Sequence, residues 1–307
     1  VLTASGNLNP QLTWDIALDI RQVLEFPFMV NAFRAGAIVA VLAGLVGWFM
    51  VLRRQTFAGH TLAVIGFPGA AGAVLIGISA TYGLFSFAIV AALLIALGPN
   101  TRGHGYSEES AVTGTVQAFA LACGFLFVTL YGGFLDGVNA LLFGSFLGIS
   151  SQQVMVLLIV AIVAIAVLAV IARPLLFASI DSDVAAAVGV PVRFLSIAFL
   201  ILLGLTAAEV SQVTGTLLVF ALMVVPAAAA QAWTSKPLLS VTLTVVVGLV
   251  VTWVSLFIAY YTTYPIGFLI TSIAFLVYLL AAGLRRGRDA LGRDATHRQH
   301  QQVPATS

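Results

Sequence analysis

An all-α protein that threads a membrane about nine times is the fold class this sequence predicts, and three observations predict it. Of its 307 residues, 61% are hydrophobic and 8% are charged, a balance too apolar for a soluble domain. The apolar residues lie in uncharged tracts, 35–52, 110–135, 137–172, 210–235 and 237–284. A helix crosses the hydrocarbon with about 20 residues, so the longest tracts hold two spans each. The basic residues fall between tracts at intervals that put nearly all of them on one side. A strand barrel is disfavoured, because the tracts are continuously apolar rather than alternating.

Taken in order, residues 1–27 precede the first span, 28–52, which stops at the pair Arg53 and Arg54. The second, 57–78, ends at the turn-forming stretch GISATYG (77–83), and the third fills 81–98 before the loop that carries Arg102. A fourth covers 111–131. The stretch FLDGVNALLFGSFLGIS (134–150) is apolar enough to lie in the membrane or re-enter it without crossing, and GISSQQ (148–153) opens the fifth span, 152–172. Spans at 194–212, 214–232, 238–260 and 264–283 complete the set, with YYTTYP (260–265) between the last two. Beyond them lies a basic tail, 284–307, expected to be disordered.

If the first span runs inward, Arg53, Arg54, Arg102, Arg173, Arg193, Lys236, Arg285, Arg286, Arg288, Arg293 and Arg298 all reach the cytoplasm, and only Arg21 and Arg34 of the 13 basic residues lie elsewhere. The expected arrangement in the plasma membrane has the N-terminus outside and the C-terminus cytoplasmic. No cleavable signal is evident, so targeting is expected to rest on the first spans. The single Cys123 lies within a span and supports no disulfide framework. No GxxxxGK[ST] loop occurs, so the chain has no visible means of using a nucleotide by itself, and neither HExxH nor paired intramembrane carboxylates suggest an enzyme. The net charge of +2 comes largely from the tail. Such a tail suits a membrane surface or solvent better than nucleic acid.

The loop RPLLFASIDSDVAAAVGVPVR (173–193) carries its own helix signals. Asp181 or Ser182 serves as N-cap, Asp183 sits in the first turn, Ala185 and Ala186 supply propensity, and Gly189 stops the helix before Pro191. Small residues on a short helix let another protein approach closely. A connector lying on the membrane would read the same way.

FMVNAFRAGAIVAVLAGLVGWFMVLRRQTFAGHTLAVIGFPGAAGAVLIG (28–77), SEESAVTGTVQAFALACG (107–124), LLFGSFLGIS (141–150), VAAAVGVPV (184–192) and QVTGTLLVFALMVVPAAAAQ (212–231) resemble, in this order, segments of one family: the permease subunits of ABC importers for zinc, manganese or iron. The resemblance runs from about Phe26 to Ala282. It implies a homodimer of permeases in the lipid bilayer, two ATPase subunits on the cytoplasmic side and a solute-binding protein outside. It also implies that Asp181, Ser182, Asp183, Ala185, Ala186 and Gly189 belong to a helix that docks on the ATPase, within a cytoplasmic coupling loop 173–193 of the transmembrane domain 28–283.

Three ionisable residues fall in or near the spans: Arg34, His60 and Glu209. A charge at mid-membrane costs about 3 kcal/mol or more, so each should face a cavity or a partner. Arg34 and Glu209 lie at comparable depth. An ion pair between them is one expectation, and Glu209 at the outer entrance, attracting a cation, is the other. His60 occupies the place where the family pattern, approximately GDALSHA, has its aspartate, while Val64 stands at the family's histidine. The resemblance thus implies a metal-contacting helix face on which this chain keeps one imidazole and no carboxylate. A histidine hydrogen-bonded between helices is the plain alternative. The methionines, Met29, Met50, Met155 and Met223, form no cluster that would suit copper(I). Imidazole favours zinc over manganese and iron. The tail's HRQH (297–300) has a spacing that suits a metal but sits in a polar segment.

The function expected is therefore passage of a divalent metal, zinc ahead of manganese or iron, with no permanently bound cofactor and with hydrolysis left to a partner. A permease for a metal chelate or a cobalamin-like cofactor is the alternative. A proton-coupled secondary transporter using Glu209 and His60 would need two similar halves, and no internal repeat is evident.

Overall fold

The computed structural model describes residues 15–97, 106–131, 144, 146–216 and 218–301. The described residues are helical, without strands, in the order α1 (Ile16–Leu24), α2 (Pro27–Leu52), α3 (Thr56–Leu75), α4 (Ala80–Leu97), α5 (Tyr106–Tyr131), a 3-10 turn (Phe146–Gly148), α6 (Ser151–Ile180), α7 (Ser182–Ala187), α8 (Val192–Thr214), α9 (Val219–Trp233), α10 (Pro237–Tyr261) and α11 (Ile266–Gln301). Eight of these, α2 to α6, α8, α10 and α11, are long and apolar enough to cross a membrane. Each expected span corresponds to one helix.

Four differences from the sequence reading have physical causes. First, a short helix precedes the spans: the Asp15 carboxylate accepts the backbone N–H of Ala17 at 3.0 Å, and Tyr261 at the far end of α10 donates its hydroxyl to the Asp19 carbonyl at 3.1 Å. Second, α6 continues through Arg173 and Pro174 to Ile180, reaching 30 residues. Its buried positions, Leu157, Ala161, Ala164, Leu168, Ile171, Leu175 and Ala178, keep the same three-and-four spacing past the proline, so packing outweighs the one backbone bond that Pro174 removes.

Third, the seventh expected span, α9, has only 15 residues. At 1.5 Å per residue it is about 22 Å long, short of the roughly 30 Å hydrocarbon. The turn that precedes it sets where it starts. Gly215 ends α8 at φ 77°, ψ 157°, a conformation open essentially to glycine, and Thr216 Cγ2 then lies 3.5 Å from where a Cβ on Gly66, halfway along α3, would stand. Fourth, α11 runs on to Gln301 where a disordered tail was expected. That segment is rich in Arg, Ala, Leu and Gln, all good helix formers.

Most of the stretch 134–150 lies outside the described residues. Its last part packs inward: the Gly144 backbone rests on Thr214 and Gly215, and Asn31 donates to the Ile149 carbonyl at 3.2 Å.

Close backbone approach joins the helices. A Cβ on Gly69 would strike the carbonyl oxygen of Gly83, and one on Gly83 would strike that of Gly69, so α3 and α4 touch without side chains between them. Gly47 of α2 lies in the same way against the Met223 carbonyl of α9. Trp48 donates to Ser240 Oγ of α10 at 2.9 Å, and Gln231 of α9 donates to the Trp48 carbonyl at 2.9 Å. Replacing Gly69 with Val forces α3 from α4, and the expected loss is about 1–3 kcal/mol or more. Thermal unfolding of the detergent-solubilised protein measures it, and an unchanged midpoint would contradict the contact.

Candidate functional site

The loop helix α7 forms where the cap signals place it. Asp181 is the N-cap, its carboxylate accepting from Asp183 N at 3.1 Å and Val184 N at 3.0 Å. Ser182 opens the helix and Asp183 lies in its first turn. At the other end Gly189 adopts φ 86°, and the pairs Val190 N to Ala185 O and Gly189 N to Ala186 O, both 3.0 Å, close a Schellman motif. Both ends are thus fixed by hydrogen bonds. Ala185 is fully buried, whereas Val184, Ala186 and Val188 are exposed. The result is a rigid, small-faced projection between the ends of α6 and α8.

Arg53, read from the sequence only as a boundary charge, ties this projection to the bundle. Its guanidinium donates to Ser179 Oγ of α6 at 3.2 Å and to Ser196 Oγ of α8 at 2.9 Å, and it lies 5.4 Å from the centre of the Phe199 ring. One side chain at the end of α2 therefore holds both arms that carry α7. No feature of the sequence singles out Ser179 and Ser196 as its partners.

His60 lies in the second turn of α3, half-buried, with its ring 5.4 Å from that of Phe220 and nearly perpendicular to it. It makes no hydrogen bond among the described residues, so the reading of a histidine bonded between helices finds no partner here. The adjacent Thr61 instead makes the inter-helix bond, donating to Gln117 Oε1 of α5 at 2.7 Å. Val64, one turn on, is buried. No group of three His, Cys, Asp or Glu residues converges among the described residues, so no metal centre built from those residue types alone is present there.

The ion pair expected between Arg34 and Glu209 is not formed. Arg34 is exposed on α2, whereas Glu209 on α8 is 0% exposed and neither of its carboxylate oxygens has a hydrogen-bond partner. Equal depth along two helices fixes height but not direction, and the two side chains point to different surroundings. Nor does Glu209 line an open entrance, because the chain closes over it. The sequence reading missed the polar residues beside it: Thr206 and Gln212, one turn to either side, and Thr216 beyond the helix end. Their spacing of three along α8 was the available signal. The tail's His297 and His300 have side chains outside the described residues.

Residues 25–285 match the family described as ABC 3 transport. The chain is 26% identical over 271 residues to the manganese import system permease protein ScaB of Streptococcus parasanguinis, covering 87% of this chain and 95% of that one. It is 28% identical over 215 residues to the manganese transport system membrane protein MntC of Halalkalibacterium halodurans, covering 70% and 73%. Among solved structures it is similar to PsaBC from Streptococcus pneumoniae in complex with Fab, with a TM-score of 0.76 and 25% identity over 87% of this chain and 95% of that one.

Because Arg34 and Glu209 do not meet, the stability changes of Arg34→Ala and Glu209→Gln should add in the double variant to within about 0.5 kcal/mol. Chemical or thermal unfolding of all four proteins tests this. A coupling well above that figure would restore the pair.

Proposed function

Since the chain belongs to the ABC 3 transport family, we propose that it is the membrane permease of an ATP-driven importer for a divalent transition metal, with manganese as the cargo. The observation that carries this reading is the extent of the likeness: it spans 95% of a relative named as a manganese import permease. In this reading the permease works as a homodimer, with an ATPase subunit under each protomer and a solute-binding protein above. The N-terminus lies outside and the C-terminus in the cytoplasm. Zinc is the second reading, favoured by the single imidazole of His60.

The geometry supplies a route for the work. Closure of the ATPase moves α7 as a rigid body, since its caps and the buried Ala185 leave it little freedom. Arg53 passes that displacement from α6 and α8 to the end of α2, seven residues before His60 on the next helix. His60 faces the pathway and pairs across it with the second copy's imidazole. Two neutral nitrogens make a weak site, and weakness is required: a permease that held its cargo tightly would not release it.

Two outcomes are expected. Manganese uptake into vesicles containing the assembled importer should fall at least about tenfold in His60→Ala while the complex still assembles; parental uptake would remove His60 from the pathway. Ala186→Trp, on the exposed face of α7, should leave the unfolding temperature unchanged but lower ATPase association or uncouple hydrolysis from uptake, whereas Ala185→Trp should destabilise the fold. Normal coupled uptake in Ala186→Trp would sink the docking role.

A further inference from the structure

Buried hydroxyls in this bundle are, with few exceptions, satisfied. Ser211 donates to the Ala207 carbonyl, Thr214 to Val210, Thr244 to Ser240, Thr252 to Gly248 and Ser255 to Val251, each at 3.0 Å or less. This is the usual arrangement of Ser and Thr inside helices, four residues back along the chain. Against that background, five buried side-chain atoms among the described residues have no partner, and all five belong to one short stretch: Thr206 Oγ1, Glu209 Oε1 and Oε2, Gln212 Nε2 and Thr216 Oγ1. Thr206 and Glu209 are 0% exposed and Thr216 is 2% exposed.

Thr206, Glu209 and Gln212 are spaced i, i+3, i+6, which sets them on neighbouring turns of α8 with Cβ atoms about 5–6 Å apart from one turn to the next. Thr216 follows at the break, where Gly215 turns the chain back toward α9. Ala208 of α8 clusters here with Ala70 of α3 and with Leu84 and Ala88 of α4. Gln212 is held from α4, where Thr81 donates to its Oε1 at 3.5 Å. The two ends of a carboxamide are nearly interchangeable in shape, so turning it over lets its nitrogen bond Thr81 and aims its oxygen where Nε2 now stands. A carboxylate cannot stay ionised and unpaired in such surroundings. It needs either a proton or a cation, and among the described residues the buried groups without partners on this stretch are oxygen ligands or convertible to one.

We propose that Glu209, Thr206 and Thr216, with the carboxamide of Gln212, form an oxygen-donor site for a hard divalent cation inside each protomer, at the break between α8 and α9. The set holds no sulfur and no imidazole, so it selects ions of the manganese and magnesium type over copper or zinc. It is separate from His60 and complete within one chain. The site deepens the transport reading and rests on it only for the choice of manganese as probe.

The test uses the full chain in lipid nanodiscs, titrated with manganese chloride, with free ion counted from its six-line electron paramagnetic resonance signal. Expected is one bound ion per protomer that survives His60→Ala and is lost in Glu209→Gln. Thr216→Val, nearly isosteric, should keep the fold and weaken that binding at least about tenfold, which keeps the proposal testable should Glu209→Gln not fold. Unchanged binding in Glu209→Gln or in Thr216→Val overturns the site. So does a parental protein that binds no ion and gains thermal stability from Glu209→Gln, the behaviour of a buried protonated acid. Because binding is counted without the ATPase, a negative count leaves the transport reading standing, while failed uptake with a normal count removes that reading and leaves the site.

Discussion

Everything in this bundle rests on how closely its helices can approach. Lipid tails are as apolar as leucine, so burial of hydrophobic surface does not by itself draw helices together in a membrane, and contact distance has to do so through dispersion. At Gly69 and Gly83, and again between Gly47 and Met223, backbone meets backbone with nothing between. Those contacts set α3 against α4 and α2 against α9, and the positions of His60, Phe220 and Glu209 follow. Hydrogen bonds such as Trp48 to Ser240 then select one arrangement among those that close packing allows.

What could be read in advance, and what could not, divides along a physical line. A span is a one-dimensional property: enough apolar residues in a row and a charge or turn at each end. The helices were legible for that reason, as were the caps of α7, whose signals are local to Asp181 and Gly189. The end of α6 was misread because Pro174 is a local signal overruled by a distant one, the buried stripe that continues to Ala178. The short α9 was misread because its cause, the turn at Gly215 against the middle of α3, depends on a residue about 150 positions away.

The candidate sites follow the same division. Sequence put Arg34 and Glu209 at similar depth, but azimuth around each helix decides whether two charges meet, and an apolar helix gives little indication of azimuth when it is buried on several sides. His60 was singled out as ionisable, and the structure adds its neighbour, Phe220, an aromatic ring rather than a second ligand. Arg53 shows the reverse failing. It looked like a topological marker, and only the fold shows that Ser179, Ser196 and Phe199 gather around it.

The length of α6 carries a consequence for the cellular setting. Its 30 residues rise about 45 Å, which exceeds the hydrocarbon and matches the full bilayer with its headgroup layers, about 40–45 Å. A tilt of about 20° shortens that reach only to about 42 Å. With its Ser151 end set at the opposite headgroup boundary, the Asp181 end reaches the outer limit of the phosphate layer. A water-soluble protein can meet α7 there without stripping hydration from lipid headgroups, so the strength of that meeting should be indifferent to which phospholipids surround the bundle.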